Sequence, residues 1–203
     1  MPQIDYYVAT VSPFVYLAGT RLEAIAARHG YSIHYKPLDV VALFPRTGGT
    51  APSRRHESRN AYGAQDLRRQ AAKAGLPITL QPRFRPTNAA PSSYAVIAAQ
   101  AALAKGAKGD LGRLVHAFAR AMWAEERNIA EDEVVRAILA DHGFDPKLAD
   151  SGMLFGAETY AANLEEAAAR GVFGVPFYVT DRDERFWGQD RLDDLDLHLA
   201  GKL

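Results

Sequence analysis

The sequence contains no cysteine, which excludes disulfides, thiolate metal ligands and any cysteine nucleophile of the chain's own. Neither sign of charge is in excess. The 24 Lys plus Arg balance 24 Asp plus Glu, so nothing in the overall charge favours nucleic acid or an acidic membrane surface as a partner. No apolar run approaches the roughly 18 residues of a membrane-spanning helix, and Met1-Pro2-Gln3-Ile4-Asp5 lacks the basic start of a leader peptide. A cytoplasmic protein is expected, with no membrane and no nucleic-acid partner. The six histidines, at 29, 34, 56, 116, 142 and 198, show no metal-ligand spacing, and no metal site is expected. Internal repeats and long low-complexity segments are also missing.

What remains is a chain of 203 residues, 48% hydrophobic and 24% charged, long enough to bury a sizeable core in one large domain or two interleaved ones. Gln3 to Val8 reads as a short strand, rich in Ile, Tyr and Val. Ser12 suits a helix N-cap and Pro13 the first helical position, where a missing N–H costs nothing. Phe14, Leu17, Ala18, Leu22, Ile25 and Ala26 follow helical spacing, and His29-Gly30 is a stop signal. Ser32 to Leu38 is a second strand, so the first forty residues form a βαβ unit with parallel strands.

From Phe44 to about Pro91, Pro and Gly interrupt the pattern, with one helix near Asn60 to Ala74. Ala89 to Lys105, Leu111 to Arg127, Glu131 to His142 and Glu158 to Arg170 continue a helical series. Strand character returns at Phe177 to Thr180 and Arg185-Phe186-Trp187, joined by a polar turn as an antiparallel hairpin, and a Leu-rich helix closes the chain. The expected fold is α/β: a thioredoxin-like domain from residues 1–45 and 172–203, interrupted by an all-helical insertion over 46–171.

Two distant segments could carry chemistry. A Ser hydroxyl where a helix begins can donate to a thiolate that the free N–H groups also favour, and it cannot oxidise to a disulfide. Capping alone, the ordinary role of Ser-Pro at a helix start, is the reading the dipeptide by itself favours. Val175-Pro176 precedes a strand, where a cis bond would present the Val175 backbone as an edge for a peptide; an ordinary Pro at a strand's first residue is the alternative. In Trp187-Gly188-Gln189-Asp190-Arg191, Gln189 and Asp190 can cap the last helix, or Asp190 can hold an ammonium group. The cations Arg46, Arg54, Arg55, His56 and Arg59 suit either an anionic substrate or a solvated surface. The segment Pro82-Arg83-Phe84-Arg85-Pro86-Thr87-Asn88 is compatible with a pocket wall or a plain connector.

The order Ser-Pro-Phe, helical insert, Gly174-Val175-Pro176-Phe177-Tyr178-Val179, then Phe186-Trp187-Gly188-Gln189-Asp190-Arg191-Leu192 resembles the 2-hydroxychromene-2-carboxylate isomerases. These are grouped with the kappa-class glutathione transferases in the DsbA-like branch of the thioredoxin superfamily. The similarity extends to Tyr62-Gly63-Ala64-Gln65-Asp66-Leu67-Arg68-Arg69 in the insert. It implies a glutathione-dependent isomerase of aromatic catabolism, a homodimer whose substrate is a small aromatic carboxylate. Ser12 matches the family's catalytic serine. Val175 and Pro176 would bind the tripeptide backbone, and Trp187, Gly188, Gln189 and Asp190 its γ-glutamyl end. Arg46, Gly49 and Asn88 would lie on the substrate side. The chain departs from the family in having Pro45-Arg46 where a Lys is usual and Gly48-Gly49 in place of Gly-Asn. A kappa-like transferase and a non-catalytic glutathione-binding module are the alternatives; disulfide exchange is excluded, since position 12 is Ser and position 15 is Val.

Overall fold

The computed structural model describes all 203 residues. The βαβ unit forms as expected. Strand β1 (Gln3–Val8) leads through helices α1 (Pro13–Ala18) and α2 (Arg21–His29) to strand β2 (Ser32–Pro37). The strands are parallel, with Gln3 opposite Ser32 and Val8 opposite Pro37. The apolar spacing suggested one continuous helix, but two form. Gly19 takes φ 61° and ψ −137°, outside the right-handed helical region, and its N–H returns to the Tyr16 carbonyl, ending α1.

The helical block comprises α3 (Val40–Leu43), α4 (Glu57–Ala74), α5 (Ala90–Ala104), α6 (Leu111–Trp123), α7 (Asp132–Asp141), α8 (Leu148–Ser151) and α9 (Met153–Ala169). Helices α3 and α8, four residues each, are too short to show a periodicity. Helix α9 starts at Met153, before the expected Glu158; Met153, Leu154 and Phe155 in its first turn face solvent and so give the sequence no inward apolar stripe there. No helix is long and apolar enough to cross a membrane.

After the block come β3 (Phe177–Thr180), β4 (Arg185–Trp187), a 3-10 turn over Gln189–Arg191 and α10 (Leu192–Leu199). The sheet order is β2-β1-β3-β4, and β3 runs antiparallel to both its neighbours. Tyr7 pairs with Phe177, and Phe177 with Trp187. This register brings the end of β1, the start of β3 and the end of β4 to one end of the sheet, although β1 is separated from the other two by most of the chain.

One hydrophobic cluster of 41 buried residues runs through the sheet layer and the helical block, from Ile4 and Tyr7 to Leu114 and Phe118. Each large side chain so buried contributes roughly 1.5–3 kcal/mol. Helix α9 is also tied to the sheet by charge: Lys36 Nζ donates to both carboxylate oxygens of Glu166, at 2.8 and 2.7 Å, and Arg170 Nη1 donates to Asp5 at 2.5 Å.

Candidate active site

Ser12 is 7% exposed and caps α1, whose first turn contains Pro13 and therefore offers one fewer N–H. Its own N–H donates to the Ala9 carbonyl at 2.9 Å, and its Oγ accepts from the Val15 N–H at 3.4 Å. That cap bond is long, so the hydroxyl is only weakly held as an acceptor and its proton is uncommitted. Helix α1 is six residues long, which makes its dipole modest. The local donors, more than the dipole, would stabilise an anion here.

Next to the end of β1 the register places Val175-Pro176, and this bond is cis. Neither the N–H nor the C=O of Val175 takes part in a hydrogen bond. A pair of free backbone groups beside a strand start is what an added extended peptide needs. Trp187 closes over this turn. Its ring meets Phe173 edge-on at 4.8 Å, and Phe173 meets Phe177 at 5.2 Å. Gly174 passes beneath the indole, where an added Cβ would lie 2.6 Å from Trp187 Nε1.

The 3-10 turn that follows corrects one expectation: neither Gln189 nor Asp190 caps α10 through its side chain. Arg21 Nη2 donates to both the backbone and the side-chain oxygen of Gln189, each at 2.7 Å, and the Gln189 amide donates to Gln70 at 3.2 Å. Gln189 is therefore an internal brace. The Asp190 carboxylate is exposed beside a cleft of about 470 Å³ whose walls include Arg21, Gln70, Lys73, His116 and Asp193. Ser12 and Val175 are not among its lining residues; the cleft adjoins the C-terminal end of α1 at Leu17 and Ala18 and the turn at Gln189 and Asp190, and suits one end of an extended ligand. His116 stacks on Tyr16 at 5.4 Å; burial, with the nearby Arg120 and His142, pushes its pKa below the usual histidine value.

The substrate-side residues are more scattered. Arg46 is held by Glu165 of α9 through two bonds, at 2.6 and 2.7 Å. Gly49 presses on Phe44, where a Cβ would meet the ring at 2.5 Å. Asn88 Oδ1 accepts from the Ala90 N–H at 3.0 Å, fixing the entry to α5. Residues without any sequence signal turn out to shape the region: Arg21 and Gln70 brace Gln189, and Trp123 Nε1 donates to the Val11 carbonyl at 3.0 Å, immediately before Ser12.

The DSBA-like thioredoxin domain family matches residues 3–200. A 2-hydroxychromene-2-carboxylate isomerase from Sphingobium xenophagum is 32% identical over 202 residues, covering 97% of each chain. A solved structure of a 2-hydroxychromene-2-carboxylate isomerase is similar at a TM-score of 0.78 and 23% identity, covering 98% of this chain and 95% of that one. The cytosolic disulfide reductase DsbM from Pseudomonas aeruginosa, solved with GSH, is similar at a TM-score of 0.69 and 20% identity, covering 98% of both chains.

Proposed function

Because the chain belongs to the 2-hydroxychromene-2-carboxylate isomerase family, within the DSBA-like thioredoxin domains, we propose that it is a glutathione-dependent isomerase of an aromatic enone carboxylate. The observation that carries this reading is the placing of an uncommitted Ser12 hydroxyl and an unpaired Val175 backbone at the same end of the sheet. The residues fit the tripeptide. Val175 offers one N–H and one C=O for its backbone, the exposed Asp190 carboxylate suits its ammonium group, and Lys73 and Arg21 in the adjoining cleft suit its α-carboxylate.

When bound, glutathione supplies a thiolate that adds to a conjugated carbon and leaves again, so that the intervening single bond can turn. The protein's part is to ionise and hold. The Ser12 hydroxyl donates toward the sulfur position, and its burial keeps bulk water from competing for that bond. Ser12 and Val15 provide no partner for oxidation, which keeps the thiol reusable. Trp187, 53% exposed, walls the Val175 edge from solvent.

Calorimetry with glutathione, followed by product analysis after incubation with 2-hydroxychromene-2-carboxylate, tests this reading. Binding, geometric isomerisation and an unchanged glutathione total are expected. A stable thioether product would make the protein a transferase, and no binding at all would leave only the shared fold.

A further inference from the structure

The environment of Trp123 and Phe44 contains an arrangement of guanidinium groups that the glutathione site does not use. Trp123, held to Val11 as described, carries the Arg85 guanidinium over its ring at 5.3 Å from the centroid. Arg55 lies over the Phe44 ring at 5.7 Å, its Nε tied to the Thr50 carbonyl at 2.9 Å. Its terminal nitrogens have no partner. Arg55 lies just before α4, Arg59 in its first turn, and Arg85 in the loop before α5. None of the three is paired with a carboxylate, whereas Arg46, Arg69 and Arg136 all are.

Burial, with the like charges of Arg59 and Arg85, lowers the Arg55 pKa from its ordinary value, in keeping with a guanidinium that has no counter-ion. Guanidinium groups seated on aromatic faces without a counter-ion are stabilised by a bound anion. The terminal nitrogens of Arg55 and the whole guanidinium of Arg85 have no hydrogen-bond partner in the protein, and a free guanidinium takes a carboxylate through two parallel N–H bonds. Arg85 is linked toward Ser12 through the Trp123 ring, whose Nε1 donates to the carbonyl of Val11, the residue before Ser12.

We propose that Arg85 and Arg55, with Arg59 beside them, receive the carboxylate of the aromatic substrate and thereby orient its conjugated carbon toward Ser12. This rests on the isomerase reading above. Arg46, bound by Glu165, is not needed for it.

Cinnamate, an aromatic acid without the reactive ketone, and its neutral isostere cinnamamide are suitable probes for calorimetry without glutathione. The wild type should bind the acid about tenfold or more tightly than the amide, as expected for a charge-assisted pair. Arg85→Gln, an exposed change with little risk to folding, should reduce that preference to about twofold, and Arg55→Gln should do the same. Arg55→Lys should restore part of it, and Arg113→Gln, on a distant exposed arginine of α6, should leave it intact. Glutathione affinity is measured in parallel on every variant and should be unaffected. A wild type that does not distinguish acid from amide, or an Arg85→Gln variant that keeps the full preference, would overturn the proposal. Retained acid preference in a protein that fails to bind glutathione would uphold the carboxylate site and remove the isomerase reading instead.

Discussion

The Gly188 N–H donates to the Pro176 carbonyl at 2.9 Å, joining the turn that precedes β3 to the turn that precedes α10. This single bond fixes the spacing between the Val175 edge and Asp190, the two places where an extended tripeptide would be held. Trp187, the residue before Gly188, covers the same junction.

Gly174 is the tightest point of that junction. Gly174→Ala should drive its methyl into the Trp187 indole and destabilise the fold by about 1–3 kcal/mol, the usual range for overpacking. Glutathione affinity should fall with it. Thermal melting would register the loss, and Gly174→Ala combined with Trp187→Ala should be more stable than the two single effects summed. Additive effects would mean the two residues are not in conflict.

Ser12→Ala separates capping from chemistry. The 3.4 Å cap bond is weak, so the stability loss should sit near the lower end of the usual range, about 0.5 kcal/mol. The ionisation of bound glutathione should respond far more, because the alanine cannot donate to sulfur. Ultraviolet absorbance of the thiolate during a pH titration of the complex checks this. An unshifted titration would remove Ser12 from the chemistry.

Glu23 predicts a pH dependence of stability. Tyr35 Oη donates to its Oε1 at 2.6 Å, its Oε2 is buried without a partner, and burial raises its pKa above the usual 4.5. A raised folded pKa means the folded state holds the proton more tightly. Glu23's contribution is therefore fully present below 4.5 and is lost as pH rises through the folded value. Glu23→Gln should match the wild type in acid and exceed it at slightly alkaline pH. Denaturant titrations across that range would show the gap widening; a constant gap would refute the assignment.

The Lys36–Glu166 pair should behave as a half-buried ion pair. Glu166→Ala would leave a Lys36 side chain that is 9% exposed with only its 3.9 Å contact to Asp5, whereas the Glu166 side chain is 38% exposed and partly screened by water. The expected cost is about 2–3 kcal/mol, below the ~3–5 kcal/mol of a fully buried pair. Lys36→Met with Glu166→Leu should recover part of it in chemical denaturation. A single-variant cost no larger than that of a surface substitution would contradict this.

The parallel β1 and β2, the β3–β4 hairpin and most of the long helices were legible because alternation, helical spacing and caps act within a few residues. Helix α9's first turn escaped because its apolar residues face outward, and the break at Gly19 because a periodic stripe continues across it. At the candidate site, Ser12 and Val175-Pro176 were visible as local signals. The Arg21 brace on Gln189, the Trp123 bond to Val11 and the placing of Arg85 were not, since each partner is more than 30 residues distant or lies on an irregular loop.

By itself, the amino-acid order determined which segments are strands and helices, that no thiol could react, and that a serine opens the first helix. Tertiary structure alone decided which backbone groups stay unpaired, which arginines are left without a counter-ion, and which glutamine becomes a brace. Local preference is a property of neighbouring residues, whereas pairing and burial depend on how distant parts of the chain close around one another.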